Sequence, residues 1–193
     1  MGRATQQEKQ ESHQRIVAVA SRLFRKQGVD ATGVSEIMAA AGMTHGGFYR
    51  HFGSKNDLVC EAIQFAFCAI TDAVEADIAA NGSPAALGHY VDMYLSREHL
   101  DAPEDGCPIA ALGAEIGRSG KVACDEMNAG ISQLSDVLGR GLKGSHMATR
   151  TNARTLLAML AGFVILARAT PEQGKRAEVL MAGREAVKQF TQA

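Results

Sequence analysis

The sequence predicts an all-α protein in two parts: a small three-helix head, residues 1–55, and a larger helical body, residues 56–193, about nine helices together. Three observations carry this. Apolar residues recur at spacings of three and four, with no β alternation, repeat or low-complexity tract. Breaks at Gly28, Gly42, Asn81-Gly82-Ser83-Pro84 and Lys143-Gly144 cut that pattern into helix-length pieces. Charge is divided as well. Residues 1–55 hold eight Lys/Arg against four Asp/Glu, and the remainder twelve against seventeen, within a net charge of −1. A basic head on an acidic body suits a polyanion at one end only, although a charged run is often just a solvated face.

Residues 1–11 are expected to be a mobile arm. The first helix spans Ser12 to Gln27, with Ile16, Val19, Ala20, Leu23 and Phe24 as its apolar stripe and Gly28 as its stop. The second starts at Thr32 or Gly33, carries Ser35 and Glu36 in its first turn, and faces inward with Val34, Ile37 and Met38. Ala39 to Ala41 allow close approach, and Gly42 ends the helix in a left-handed conformation. Thr44 is a candidate N-cap for a two-turn helix, His45 to Phe52. Phe48 and Phe52 are directed to the core. Gly46, Gly47, Tyr49, Arg50 and His51 are left outside. Ser54 caps a long fourth helix that runs to about Ala80, with Asp57 at its third position.

In the body, a fifth helix covers Pro84 to Ser96, followed by a polar loop from Arg97 to Gly106. Pro108 opens a sixth, Gly120 or Lys121 a seventh reaching about Leu142, and residues 143–147 form a turn. Thr149 to Arg168 and a helix opened by Pro171 complete the chain.

Two adjacent glycines inside a helix cost about 1 kcal/mol each relative to alanine. An ordinary helical hairpin also carries alanines and a glycine stop, but the paired glycines imply that something needs the room. A helix with an outward Tyr and Arg and no carboxylate suits a DNA groove. The run T-x-G-x-F-Y-x-x-F-x-S-K, here Thr44 to Lys55, resembles the recognition-helix signature of the TetR family of transcriptional regulators. Ser12 to Gly28 and Thr32 to Gly42 resemble that family's N-terminal domain, so the specific likeness covers about the first 60 residues.

The resemblance implies a helix-turn-helix head. It assigns base-edge contacts to His45, Gly46, Gly47 and Tyr49, and phosphate contacts to Thr32, Ser35, Thr44, Tyr49, Arg50, His51 and Lys55. It further implies a repressor that binds a palindromic DNA operator as a homodimer and is released by a small-molecule inducer. The pocket would lie among Phe65, Cys68, His89, Tyr90, Met93, Tyr94, Cys107 and Met127. Each of these is equally an ordinary core residue when taken singly. The last two helices carry excess apolar surface, with Leu156, Leu160, Phe163, Val164, Leu180 and Val187 as dimer-interface candidates.

Other classes are weighed against this reading. The 46% hydrophobic and 21% charged composition is that of a soluble globular protein. No apolar run of eighteen residues predicts a membrane span, and the polar N-terminus is no signal peptide. A cytoplasmic location is expected, and Cys60, Cys68, Cys107 and Cys124 show no paired spacing that predicts a metal site or disulfides. No metal or cofactor is expected. Cys107, at a loop-to-helix start, has two readings: pocket lining, or a thiol of lowered pKa that senses oxidants or electrophiles. A thiol enzyme and a helical adaptor remain as alternatives, but no nucleophile-elbow, phosphate-loop or zinc-protease motif is present.

Overall fold

The computed structural model describes residues 6–144 and 146–192. Nine α-helices and two short 3₁₀ segments make up its regular structure: α1 Gln6–Gln27, α2 Val34–Ala40, a 3₁₀ helix His45–Arg50, α3 Lys55–Asn81, α4 Ser83–Tyr94, α5 Arg97–Asp101, a 3₁₀ turn Pro103–Asp105, α6 Pro108–Ile116, α7 Lys121–Gly139, α8 His146–Ala169 and α9 Gln173–Gln192.

The long helix α3 is the axis of the molecule. It begins beside the 3₁₀ helix and packs against α1, α4 and α7. Its start is fixed by Ser54, whose Oγ accepts the Asp57 N–H at 3.1 Å. Buried residues lie on more than one of its faces: Leu58, Val59, Ala62, Ile63, Ala66, Phe67 and Val74. One continuous apolar cluster therefore runs from Ile16, Phe24 and Phe48 through Phe67 to Leu134, Leu156 and Leu160. Close approach of α3 and α7 depends on Gly130, where a Cβ would overlap the Phe67 ring. Gly28 and Gly42 both have positive φ (90° and 73°), as their stop positions require.

Several expectations change. Residues 6–11 continue α1 rather than forming an arm, and residues 1–5 of that arm lie outside the described residues. Glutamines and paired charges are good helix formers, so polarity there does not end the helix. The stretch Arg97 to Gly106 is a capped short helix and a 3₁₀ turn, not a loop. The Ser96 Oγ accepts the His99 N–H at 3.1 Å. Arg168 donates to the carbonyls of His99 and Leu100 at 3.0 and 3.1 Å, and Arg184 to that of Leu95 at 3.0 Å. The helix after the 143–147 turn begins at His146, three residues before the expected start; Ser145 lies outside the described residues. Met147–Ala169 is also long and apolar enough to cross a membrane by length and composition, which a search for unbroken apolar runs does not register. One face of this helix, with Ala153, Leu156, Leu157, Leu160 and Val164, is buried in the core.

Candidate functional site

The 3₁₀ helix His45–Arg50 is the most exposed structured element of the N-terminal region. Thr44 stands at its N-cap with extended backbone, but its side chain makes no capping bond. Sequence spacing predicts an α-helix to Phe52. Gly46 and Gly47 remove helix propensity from a segment too short to nucleate by itself, so the tighter 3₁₀ form results. Phe48 and Phe52 are buried, with ring centroids 5.4 Å apart and the rings tilted at 30°. They anchor the segment, and Tyr49 points away with 73% of its surface exposed. Ser35, Thr44, His45, Gly46 and Arg50 are exposed too. No Cβ neighbour lies within 4 Å of Gly46, so the room there opens to solvent.

Two assigned phosphate contacts look different in the structure. Thr32 is fully buried and donates its hydroxyl to the Gly28 carbonyl at 2.6 Å, which ties the α1–α2 turn and removes the side chain from the surface. Lys55 is half-buried and donates Nζ to the Val29 carbonyl at 2.6 Å. His51 has its pKa lowered, first by burial and then by the positive charges of His13, Lys9 and Arg50.

A groove of about 980 Å³ separates α1 from the 3₁₀ helix, with Glu8, Lys9, Glu11, Ser12 and Arg15 on one wall and Thr44, Gly47, Arg50 and His51 on the other. Sequence reasoning missed Lys9 and Arg15. For Arg15 the signal was present: Glu8, Glu11, Ser12 and Arg15 follow helical spacing once α1 is extended toward the N-terminus.

The head is tied to the rest of the chain by specific polar contacts. Glu115 of α6 accepts the N–H groups of Val29 and Asp30 at 3.0 and 2.8 Å. Arg22 pairs with Asp105, and Lys26 with Glu104 at 3.5 Å. Ser21 donates to the Ala62 carbonyl at 2.8 Å.

A second concavity, of about 600 Å³, lies between α1, α3 and α4. It gathers Phe65, His89, Tyr90 and Met93. Cys68, Cys107 and Met127 do not line it. Cys107 and Met127 are buried in the core, and Cys68 stands elsewhere on α3. Cys107 does cap α6, but the expected low thiol pKa is reversed: burial pushes it up. Behind it, His99 donates Nδ1–H to the Tyr94 carbonyl at 2.7 Å and accepts the Cys107 N–H on Nε2 at 3.1 Å. That interior is built for packing, and a buried protonated thiol is a poor nucleophile.

The interface candidates also need correction. Leu156, Leu160, Val164, Leu180 and Val187 are buried within the protomer, and Phe163 is half-buried against Gly183. The large apolar side chains that α8 and α9 leave exposed, among the described residues, are Met147, Ile165, Leu166 and Met181. Among the described residues no group of three or more His, Cys, Asp or Glu side chains is placed to hold a metal ion.

Residues 16–62 match the family described as bacterial regulatory proteins, tetR family. Over 61 residues the chain is 52% identical to the HTH-type transcriptional regulator AcrR of Shigella flexneri, an alignment covering 32% of this chain and 28% of AcrR. Residues 16–62 therefore carry the N-terminal segment that marks the tetR family. Similarity to TetR-family proteins extends beyond the head. The HTH-type transcriptional regulator LmrA of Bacillus subtilis (strain 168) is 27% identical over 165 residues, covering 81% of this chain and 86% of LmrA. The crystal structure of a TetR-family transcriptional regulator from Agrobacterium tumefaciens superposes with a TM-score of 0.74 at 25% identity, covering 95% of this chain and 99% of that one. The match to AcrR, by contrast, spans less than a third of that regulator.

Proposed function

We propose that this protein is a TetR-family DNA-binding transcriptional regulator, a repressor that binds a palindromic operator as a homodimer and leaves it when a small molecule occupies the body. In this reading residues 1–55 are the DNA-binding head and residues 56–193 the ligand-binding and dimerisation part, at work in the cytoplasm. The observation that carries it is the 3₁₀ helix His45–Arg50: Phe48 is buried beneath it, Tyr49 and Arg50 are exposed on it, and it is joined directly to α3. Tyr49, His45 and the backbone at Gly46 and Gly47 would meet base edges. Arg50, Ser35 and Thr44 would meet phosphates. Lys9 and Arg15 stand on the facing wall, interleaved with Glu8 and Glu11.

Release would pass along α3, which begins at the head and lines the 600 Å³ cavity farther along. Two heads must sit ~34–36 Å apart to enter successive major grooves on one side of B-DNA. A ligand that tilts α3 shifts that spacing, provided it binds the DNA-free arrangement more tightly. A coupling of ~1–3 kcal/mol weakens operator binding ~5–150-fold.

Gel shifts over a salt series test the head assignment. Arg50→Ala should weaken binding similarly on all DNA sequences and reduce the slope of log affinity against log salt by about one, as loss of one phosphate contact does. An unchanged slope removes Arg50 from the interface.

A further inference from the structure

The 600 Å³ cavity has a chemistry of its own. Its floor is small and apolar, formed by Ala66, Ala69 and Ala73 of α3, and Phe65, Ile70 and Met93 stand around it. Phe65 and Met93 are 41% and 47% exposed, an unusual state for large apolar groups around a concavity. Most of the charged groups on the wall are already matched. Asp77 accepts from Asn81 at 2.6 Å and pairs with His89 at 2.9 Å. Asp105 is held by Arg22.

Arg25 is the exception. Its Nε is buried without a hydrogen-bond partner, and among the described residues no carboxylate forms an ion pair with its guanidinium. The Tyr90 hydroxyl on the same wall is buried and unpartnered too. Arg22 and Arg25 against Asp105 leave one positive charge in excess at the α1 end, and Asp77 makes the opposite end acidic. A half-buried cation beside apolar surface is costly until an anion meets it.

We propose that this cavity binds amphipathic organic carboxylates, with the carboxylate on Arg25 at the α1 end and the apolar body over the alanine floor of α3. The inference deepens the reading of the body as a ligand receiver and rests on it. It adds that the ligand touches the head directly, because Arg25 and Ala18 belong to α1. An anion at this end also competes with Asp105 for Arg22, which is one of the contacts that ties the head to the body.

Calorimetric titration of the purified protein without DNA tests the site apart from any operator. The probes are decanoate and 2-naphthoate, each against its methyl ester, which keeps the body and removes the charge. At least one acid should bind ~10-fold or more tightly than its ester, the range of a charge-assisted contact. Arg25→Met should abolish that preference and leave ester affinity unchanged, and Arg25→Lys should restore part of it. Ala69→Trp, at an exposed position on the floor, should remove binding of acid and ester alike. Equal affinity of acids and esters for the wild type overturns the proposal, with or without folded Arg25→Met. So does full acid preference in Arg25→Met, or undiminished binding in Ala69→Trp. If the acids bind as stated and operator affinity does not respond, the site stands and the release mechanism fails.

Discussion

His99 has both ring nitrogens committed, one donating to the Tyr94 carbonyl and the other accepting from Cys107, and burial holds its pKa down to about 4. Above pH ~6.5, the unfolded value, the ring is neutral in both states and the contacts are fully present. As pH falls from there toward about 4, the unfolded chain takes up a proton that the folded one refuses, and stability is lost. The difference amounts to roughly 3 kcal/mol by pH 4. Urea unfolding should show most of this loss between pH 6.5 and 4, and His99→Gln should flatten the profile. A His99 ring that titrates near 6.5 by NMR in the folded protein would show that burial does not hold it neutral. Glu115 offers a second residue-scale test. Glu115→Ala leaves two backbone N–H groups of the α1–α2 turn without their acceptor, and should cost about 1–3 kcal/mol in denaturant unfolding. Its effect on operator affinity should exceed that of an exposed glutamate such as Glu178, because the turn positions α2 and the 3₁₀ helix.

At the scale of elements, α3 and α7 pack through a glycine. Gly130→Ala places a methyl group into the Phe67 ring and should cost about 1–3 kcal/mol, measurable as a lower thermal midpoint. An unchanged midpoint would mean that the ring has free space to move. Most helix extents were legible in the sequence, because Gly28, Gly42, Ser54 and Asn81-Gly82 carry local signals that act regardless of the rest of the fold. What was not legible depended on distant partners. Arg97–Asp101 reads as a loop until Arg168 and Arg184 are seen holding the carbonyls around it. Thr32 reads as a surface hydroxyl until the turn closes over it. Tyr49 and Arg50 were legible because their buried neighbours Phe48 and Phe52 fix the phase. Periodicity alone left Leu156 and Leu160 ambiguous, since a helix with two apolar faces does not say which one the protomer itself uses.

For the whole molecule, Met147, Ile165, Leu166 and Met181 are the large apolar side chains that α8 and α9 expose, and Ile165 and Leu166 adjoin each other in sequence. Leu166→Glu, at a position 58% exposed, should yield folded monomers on sedimentation. Phe163→Glu is a poorer probe because Phe163 packs against Gly183 inside the protomer. A Leu166→Glu variant that stays dimeric places the interface elsewhere. One short helix per protomer offers few base contacts, so selective binding needs two heads at once. The regulatory role proposed for the molecule depends on the exposed 3₁₀ helix reading DNA. Selection of bound duplexes from a random pool, with the wild type and Tyr49→Ala in parallel, addresses it most directly. Enrichment of one palindromic sequence by the wild type is expected, with half-site centres about 10 base pairs or a multiple apart, together with loss or change of that sequence in Tyr49→Ala. A wild-type pool that remains random after repeated rounds at moderate salt, or a variant that selects the identical site, would contradict it.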